Sequence, residues 1–331
     1  EQADTAKPEP PRFLMRYGER LPQEPSIRAY CLPFASGSAT LFAPWAEQAD
    51  TAFEVVAVEL PGRGARADEL MPAGEQEDAA LLDTICDAIL ADLQGAKYVL
   101  VGFSMGGGLC ADLALRLAER GAPAPLGLYI AGRRPPALDP ASIGPITMSN
   151  EELAEYAFAP PEVAQSPEFV EHVVPLLRGD LEVDARCERR LSAGGVAGKR
   201  LPPGVGVELF CGTDDSVAPW REAPGWQRFT QEPVGVHYFP GGHEFMQECR
   251  PLLHAAIRRD ALSRLVRQRS FELALLAAQG LAPPGAPAPA PSLQSSVYSV
   301  YCPFQDFEAD VLPHQANELV AQRIHEPLSD P

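Results

Sequence analysis

The sequence lacks long hydrophobic runs, an excess of positive charge and any paired-cysteine pattern. No run of eighteen apolar residues occurs, which excludes a transmembrane helix. The net charge is −18, with 27 Lys and Arg against 45 Asp and Glu. This balance argues against non-specific binding to nucleic acid or to anionic membranes. The seven cysteines are scattered, odd in number and without a C-x-x-C, which favours a reducing, cytoplasmic setting over a disulfide framework.

The two ends of the chain differ in composition from its centre. Residues 1–25 are polar, contain proline and lack the apolar region of a signal peptide. The first residue is Glu1 rather than Met, so an upstream targeting segment remains open. Residues 281–291 form a Pro/Ala-rich linker, and residues 292–331 are a docking tail, a remnant of another domain or a disordered segment. The composition, with 46% hydrophobic residues, predicts one globular domain over residues 26–280.

Short apolar runs alternate with helical patterns along this central region. The predicted strands are continuous runs rich in β-branched and other apolar residues: Ile27–Leu32, Phe53–Leu60, Lys97–Phe103, Gly127–Ala131, Val205–Cys211 and Gly235–Phe239. Between the second and third runs, Glu77–Leu93 carries its apolar residues along one helical face. This alternation predicts a mostly parallel sheet flanked by helices on both sides.

A long stretch without a strand signal separates the fourth and fifth predicted strands. Asn150–Tyr156 and Pro167–Leu177 are predicted helices within it. An insertion at this place, about residues 140–200, is either a helical lid over a pocket or a surface excursion. The domain is expected to end in a helical stretch from Glu244 to Gly280, broken near Pro251.

The clearest chemical signal is Gly102-Phe103-Ser104-Met105-Gly106 at the end of the third strand run. A strand that leads into G-x-S-x-G and then into a helix is the nucleophile elbow of an α/β-hydrolase, where the serine sits on a strained turn. Ser104 is then the nucleophile, and the backbone N–H of Met105 is one donor to the oxyanion. The alternative is an ordinary Gly-rich turn with a structural serine.

A serine nucleophile needs a base and an acid later in the chain. His243 follows a tight turn after the last strand run, where a loop can carry an imidazole to the elbow, whereas His237 lies inside the strand and is predicted to be structural. The acid is expected after the preceding strand, where Asp214 and Asp215 are adjacent and only one can orient His243. A second oxyanion donor is expected from the small-residue loop Pro33–Ala39.

Six segments in one order resemble motifs of the type II thioesterases of polyketide, nonribosomal-peptide and fatty-acid synthesis. They correspond to P-H-A-G-G-x-A, L-P-G-R-G-x-R, G-H-S-M-G, the L-R-A-D string of the helical lid, G-x-x-D and G-G-H-F-F, and in this sequence they are Pro33–Ala39, Leu60–Arg66, Gly102–Gly106, Pro175–Asp180, Gly212–Asp215 and Gly241–Phe245. The resemblance spans Ile27 to about Arg259 and implies an α/β-hydrolase fold with a helical lid.

The resemblance also implies a mechanism and a partner. Asp215, at the last position of G-x-x-D, is the acid that orients His243, and the amides of Ala35 and Met105 hold the oxyanion. Ser104 attacks an acyl thioester on the phosphopantetheine arm of an acyl or peptidyl carrier protein, without cofactor or metal, and the enzyme is expected to be a monomer. The alternatives are an esterase or lipase, a chain-releasing thioesterase domain of the same fold, and a non-catalytic carrier-binding scaffold.

The chain departs from the family pattern at several positions, including Glu244, which stands where the family often has phenylalanine. Phe34 and Phe103 stand where histidines are usual, and we expect both to make the pocket floor more apolar. Ser36 replaces a glycine. Carrier proteins are usually acidic, as this chain is, so docking would need a basic patch. The candidates are Arg63, Arg66, Arg133, Arg134, Arg258, Arg259, Arg264 and Arg267.

Overall fold

A computed structural model describes residues 13–17, 26–48, 50–157, 159–193, 200–278 and 299–300. The predicted linker at residues 281–291 lies outside the described residues, as do most of the N-terminal segment 1–25 and most of the tail 292–331.

Within the described part of the chain, eight strands form one sheet in the order β1-β3-β2-β4-β5-β6-β7-β8. The strands are β1 (Leu14–Met15), β2 (Ile27–Leu32), β3 (Phe53–Val58), β4 (Lys97–Phe103), β5 (Gly127–Ala131), β6 (Gly206–Gly212), β7 (Gly235–Phe239) and β8 (Ser299–Val300). Every neighbouring pair is parallel except β1 with β3. The predicted parallel sheet is therefore confirmed, with small shifts in the bounds of β3 and β6.

Helices of very different length connect these strands. They are α1 (Ala43–Ala46), α2 (Glu75–Leu93), α3 (Met105–Glu119), α4 (Asn150–Tyr156), α5 (Pro161–Ala164), α6 (Val174–Ser192), α7 (Phe245–Glu248) and α8 (Arg250–Ala278). In the described residues they are accompanied by the 3₁₀ segments Ala39–Phe42, Gly64–Arg66, Pro140–Ser142 and Trp220–Arg228 and by the π segment Phe169–Val173. None of the described helices is both long enough and apolar enough to cross a membrane.

The central strands are mostly apolar because helices cover both faces of the sheet. Every residue of β2 and β3 is buried. One core cluster joins α2 and α3 to one face, and the other joins Trp45, Phe103 and α8 to the opposite face. This two-sided burial removes the alternation of polar and apolar residues that a half-exposed sheet would show.

The insertion between β5 and β6 is helical, but its main helix is longer than the sequence indicated. The helix predicted over Pro167–Leu177 begins as the π segment Phe169–Val173 and continues as α6 through Ser192. The helix α4 has the predicted bounds, and Ser149 and Glu152 form a reciprocal capping box at its start. The insertion has its own apolar cluster, formed by Leu153, Ala154, Ala164, Val174 and Leu177.

Candidate active site

Ser104 lies on the tight turn between β4 and α3. Its φ of +50° and ψ of −115° are strained values for a residue with a side chain. The flanking glycines are required by close backbone contacts. A Cβ on Gly102 would lie 2.2 Å from the Gly106 carbonyl oxygen, and one on Gly106 would lie 2.3 Å from that of Leu32. The G-x-S-x-G spacing is therefore a steric consequence of turning the chain so sharply.

Three side chains from three loops meet in a hydrogen-bonded chain at this turn. The His243 Nε2 atom lies 3.1 Å from the Ser104 Oγ, and the His243 Nδ1 atom lies 2.9 Å from the Asp215 Oδ2. His243 follows β7, as predicted, and its ring is largely buried. A neutral imidazole that donates from Nδ1 to a carboxylate presents Nε2 as an acceptor for the serine proton.

The two adjacent carboxylates after β6 have different surroundings. Asp215 is buried, and its Oδ1 accepts from the N–H groups of Val217 and Ala218 at 2.9 and 2.8 Å. Burial by itself would raise the pKa of Asp215, but the hydrogen bonds from His243 and from these amides outweigh it and lower the pKa. Asp214 accepts from the Thr213 hydroxyl and faces solvent. The carboxylate in contact with His243 is therefore the ionised Asp215.

The contacts of His237, which lies in β7, are those of a structural residue. The His237 Nε2 atom lies 2.8 Å from the Glu208 Oε2, and its ring stacks on Phe210 at 4.8 Å. It contacts neither Ser104 nor Asp215 through any hydrogen bond in the described part of the chain.

A cavity of about 330 Å³ opens onto Ser104 and His243. Its walls are mostly apolar and come from both the sheet edge and the insertion: Phe34, Ala35, Met105, Ile143, Ile146, Tyr156, Leu177, Leu181, Val217 and Met246. Charged groups from Arg133, Asp184 and Glu188 line another part of the cavity. The insertion therefore forms part of the cavity wall.

The loop from Phe34 to Ala39, called the 34–39 loop below, borders the same cavity. The Gly37 N–H donates to the Phe34 carbonyl at 2.9 Å and closes a tight turn. Ser36 has a φ of +63° at the third position of this turn, where glycine is usually favoured. Ala35 and Met105, the predicted oxyanion donors, both line the cavity next to Ser104.

Two buried acidic groups from different elements hold the 34–39 loop. The Glu59 carboxylate accepts from the Ala39 N–H at 3.0 Å and from the Ser38 hydroxyl at 3.1 Å. The Asp180 carboxylate, from α6, accepts from the Ser36 N–H at 2.6 Å and forms a bidentate ion pair with Arg63. Sequence reasoning missed these roles, although Arg63 and Asp180 lie in two of the quoted motifs.

Four of the eight candidates for a basic docking patch, Arg63, Arg66, Arg133 and Arg264, are unsuited to that role. All four are largely buried and serve internal ion pairs. Arg63 pairs with Asp180, Arg66 with Glu69, Arg133 with Asp184 and Glu188, and Arg264 with Glu208 and Asp260. Buried guanidinium groups need such partners because an unpaired charge is costly inside a protein.

The expectation that Phe103 lines the pocket floor is also wrong. Phe103 is fully buried against Phe42 and Trp45, with ring centroids at 5.2 and 5.6 Å. It belongs to the core cluster that includes residues of α8, and it does not line the cavity. Phe34 does line the cavity, as expected.

In the described residues no group of three or more His, Cys, Asp or Glu side chains is arranged to hold a metal ion. The structure brings together a serine, an imidazole and a carboxylate beside a mostly apolar cavity. Such a set can carry out acyl transfer through a covalent serine intermediate.

Comparison with known proteins places this geometry in context. The sequence model of one family, described as thioesterase domain, matches residues 28–258. The medium-chain S-acyl fatty acid synthase thioesterase of Homo sapiens is 26% identical over 232 residues, covering 67% of this chain and 82% of the relative. Thioesterase PikA5 of Streptomyces venezuelae is 29% identical over 226 residues, covering 67% of this chain and 76% of the relative.

Solved structures of thioesterases are also similar to this chain. The type II thioesterase BorB from the borrelidin biosynthetic cluster superposes with a TM-score of 0.60 at 26% identity. The match covers 76% of this chain and 97% of BorB.

Proposed function

Because this chain belongs to the thioesterase family, whose sequence model matches residues 28–258, we propose that it is a serine thioesterase. It hydrolyses acyl thioesters carried on the phosphopantetheine arm of an acyl or peptidyl carrier protein. It thereby releases or edits acyl chains in polyketide, nonribosomal-peptide or fatty-acid synthesis. Its catalytic residues are Ser104, His243 and Asp215.

The observation that carries this proposal is the hydrogen-bonded chain from Ser104 through His243 to Asp215 at the mouth of the cavity. The Ser104 hydroxyl is a weak nucleophile by itself and needs a base at its proton. The Nε2 atom of His243 lies within reach of that proton. Asp215 fixes the tautomer of the ring and stabilises the imidazolium that forms.

The reaction proceeds in two acyl-transfer steps. Ser104 Oγ attacks the thioester carbonyl carbon while His243 takes the hydroxyl proton, and the carbonyl oxygen becomes an oxyanion. The backbone N–H groups of Ala35 and Met105 donate to that oxyanion. The C–S bond breaks, and the leaving thiolate takes the proton from His243. Water, activated by His243, then hydrolyses the acyl-serine ester and releases a free acid.

The substrate class is supported by the names of the relatives and by the cavity. The relatives include a fatty acid synthase thioesterase and PikA5, and BorB comes from a biosynthetic cluster. The mostly apolar walls suit an acyl chain. An esterase or lipase, a chain-releasing domain and a non-catalytic scaffold remain outcomes of the test.

The test compares the Ser104→Ala variant with the parent on acyl-pantetheine thioesters, acyl-carrier thioesters and p-nitrophenyl esters. We expect the parent to prefer the thioesters, and we expect Ser104→Ala to lose about 10³-fold or more in kcat because the nucleophile is removed. A fluorophosphonate probe should label the parent at Ser104, as located by peptide mapping.

The adjacent aspartates provide a matched control. Asp215→Asn should lower kcat by about 10³- to 10⁴-fold because the imidazole loses its orienting carboxylate. Asp214→Asn removes a neighbouring charge of the same kind and should change kcat by about twofold or less. Absence of a probe adduct would favour the scaffold, and a strong preference for oxygen esters would favour the esterase.

A further inference from the structure

We propose that Asp180 and Arg63 are positioning residues that couple the lid helix α6 to the 34–39 loop. Through this pair, the position of α6 sets the direction of the Ala35 N–H. The inference rests on the proposed function, since it concerns the amide assigned there to the oxyanion.

The contacts of Asp180 join both sides of the tight turn. Its side chain is fully buried, and its Oδ2 accepts from the Ser36 N–H at 2.6 Å and from the Arg63 Nη1 at 2.7 Å. The Arg63 Nη2 donates to the Oδ1 at 2.6 Å. The same Arg63 Nη1 donates to the Gly37 carbonyl at 2.9 Å, and Nε donates to the Pro61 carbonyl at 3.1 Å. One buried ion pair therefore holds Ser36 and Gly37 together.

These contacts fix the peptide groups on either side of Ala35. The Phe34 carbonyl is held by the Gly37 N–H, and the Ser36 N–H is held by Asp180. The Ala35 N–H belongs to the same planar peptide unit as the Phe34 carbonyl, so the two groups turn together. The direction of the Ala35 N–H thus depends on a turn that Asp180 and Arg63 hold in place.

The backbone of Ser36 shows that the turn needs support. Its φ of +63° lies in the left-handed region that residues with a side chain adopt only rarely. Such a conformation persists when surrounding contacts hold it. The hydrogen bond from the Ser36 N–H to Asp180 is a contact of that kind. The replacement of the usual glycine by Ser36 therefore increases the dependence of this turn on the lid helix.

The lid helix also contacts the cavity close to Asp180. Leu177 and Leu181, which flank Asp180 on α6, line the cavity. Ala35 packs against the apolar cluster of the insertion, to which Leu177 belongs. An acyl chain beneath α6 and the direction of the Ala35 N–H are therefore linked through the same helix. A lid displaced from this position would carry the Asp180 carboxylate away from the turn.

The experiment measures kcat and KM of Asp180→Asn on an acyl-pantetheine thioester, together with its rate of labelling by a fluorophosphonate. We expect kcat and the labelling rate to fall by about tenfold to 10²-fold, because a misdirected donor loses part of its stabilisation of the oxyanion. We expect KM to change by about twofold or less, because the apolar walls that bind the acyl chain remain.

Asp78→Asn is the matched control, because Asp78 of α2 also forms a buried ion pair with the helix α6. Asp78 is also fully buried, and it forms a bidentate pair with Arg186 of α6, at 2.8 and 2.9 Å, away from the 34–39 loop. Removing either carboxylate leaves a guanidinium group without its acid and destabilises the fold. Both variants should therefore melt at lower temperature, but at a temperature where both are folded only Asp180→Asn should lose kcat.

A rescue separates positioning from stability. Ser36→Gly relieves the backbone strain at this turn. The kcat of the double variant Ser36→Gly/Asp180→Asn should therefore be about threefold or more higher than the value expected if the two substitutions acted independently. Ser36→Gly should give no such recovery in Asp78→Asn. If Asp180→Asn does not fold, Arg63→Lys is the second variant. It keeps the charge but cannot form the bidentate pair. It should lower kcat by about threefold or more and leave KM unchanged.

Any one of the following results would overturn the coupling. They are an equal loss of kcat in Asp180→Asn and Asp78→Asn, an equal recovery by Ser36→Gly in both backgrounds, and, where Asp180→Asn does not fold, an unchanged kcat in Arg63→Lys. Failure of the proposed function looks different, because the parent itself would then take no probe at Ser104. A parent that is labelled and active while Asp180→Asn keeps full kcat rejects the coupling alone.

Discussion

Inside the aromatic core, His254 is held without charge. It is 3% exposed, and its ring stacks on Trp45 with a distance of 5.1 Å between the ring centroids. The centroid of the Phe53 ring lies 5.9 Å from that of His254. Burial is the main cause that lowers its pKa to about 4, and the nearby charge of Arg258 lowers it further. Its Nε2 has no hydrogen-bond partner in the described part of the chain. This ring packs as an aromatic group, and protonation would place an unpaired charge in the core.

Stability should therefore fall as the pH drops from about 6.5 to about 4, because the unfolded chain binds a proton at His254 in this range and the folded chain does not. The contribution of this residue to the loss is about 3 kcal/mol, reached near pH 4 and constant below it. His254→Phe should flatten the pH dependence of the free energy of unfolding measured by urea denaturation. The exposed His172, replaced by Asn, is the control. A slope unchanged in His254→Phe would contradict the assignment.

The two aspartates after β6 show what sequence can and cannot supply at this scale. Their position after a strand predicts that one of them faces His243. It does not predict which one, because two adjacent aspartates differ only in the direction in which their side chains point. That direction is set by the turn after Gly212, which gives Asp215 the amides of Val217 and Ala218 and leaves Asp214 to the Thr213 hydroxyl. Such backbone detail has no signature in residue type.

At the scale of elements, the buried strands were predictable and the lid helix was not. Strands covered on both faces leave mostly apolar runs in the sequence, as over β4 and β5. The helix α6 instead carries buried charged residues, Asp180 and Arg186, whose partners Arg63 and Asp78 lie more than one hundred positions away in the chain. Helical periodicity cannot distinguish a buried ion pair from an exposed polar face, so the predicted helix ends too early, at Leu177. Arg63 was a candidate for docking on its charge alone, because its distant partner Asp180 is not apparent from the sequence.

The turn between β4 and α3 depends on glycine at position 106. In Gly106→Ala the new Cβ would lie 2.3 Å from the Leu32 carbonyl oxygen and 2.7 Å from that of Pro33. Both atoms are backbone, so the end of β2 must move. We expect a loss of about 3 kcal/mol in the free energy of unfolding.

Urea denaturation with a matched variant measures this effect. Gly144→Ala adds the same methyl group where no atom lies within 4 Å of the new Cβ, and it should change the free energy of unfolding by about 0.5 kcal/mol or less. Equal stability of the two variants would show that the elbow has room for a side chain.

On the scale of the whole molecule, charge determines how a protein partner approaches. The chain carries a net charge of −18. Most of the arginines considered for a basic patch have a carboxylate within 4.0 Å, among them Arg63, Arg66, Arg133, Arg134, Arg258, Arg264 and Arg267. Their positive charge is thus largely compensated within the molecule. Long-range forces on an acidic carrier protein, the partner of the proposed function, are then repulsive.

Salt should therefore accelerate the reaction with a carrier-bound substrate. Raising the ionic strength from about 0.01 M to about 0.15 M shortens the Debye length from about 30 Å to about 8 Å and screens the repulsion between two acidic proteins. We expect kcat/KM on the acyl-carrier thioester to rise by about threefold or more, through faster association. The same salt change should leave kcat/KM on the small acyl-pantetheine thioester nearly constant, because that substrate carries no comparable charge. A fall in kcat/KM with salt, seen for the carrier substrate alone, would instead mean that a local basic surface attracts the carrier.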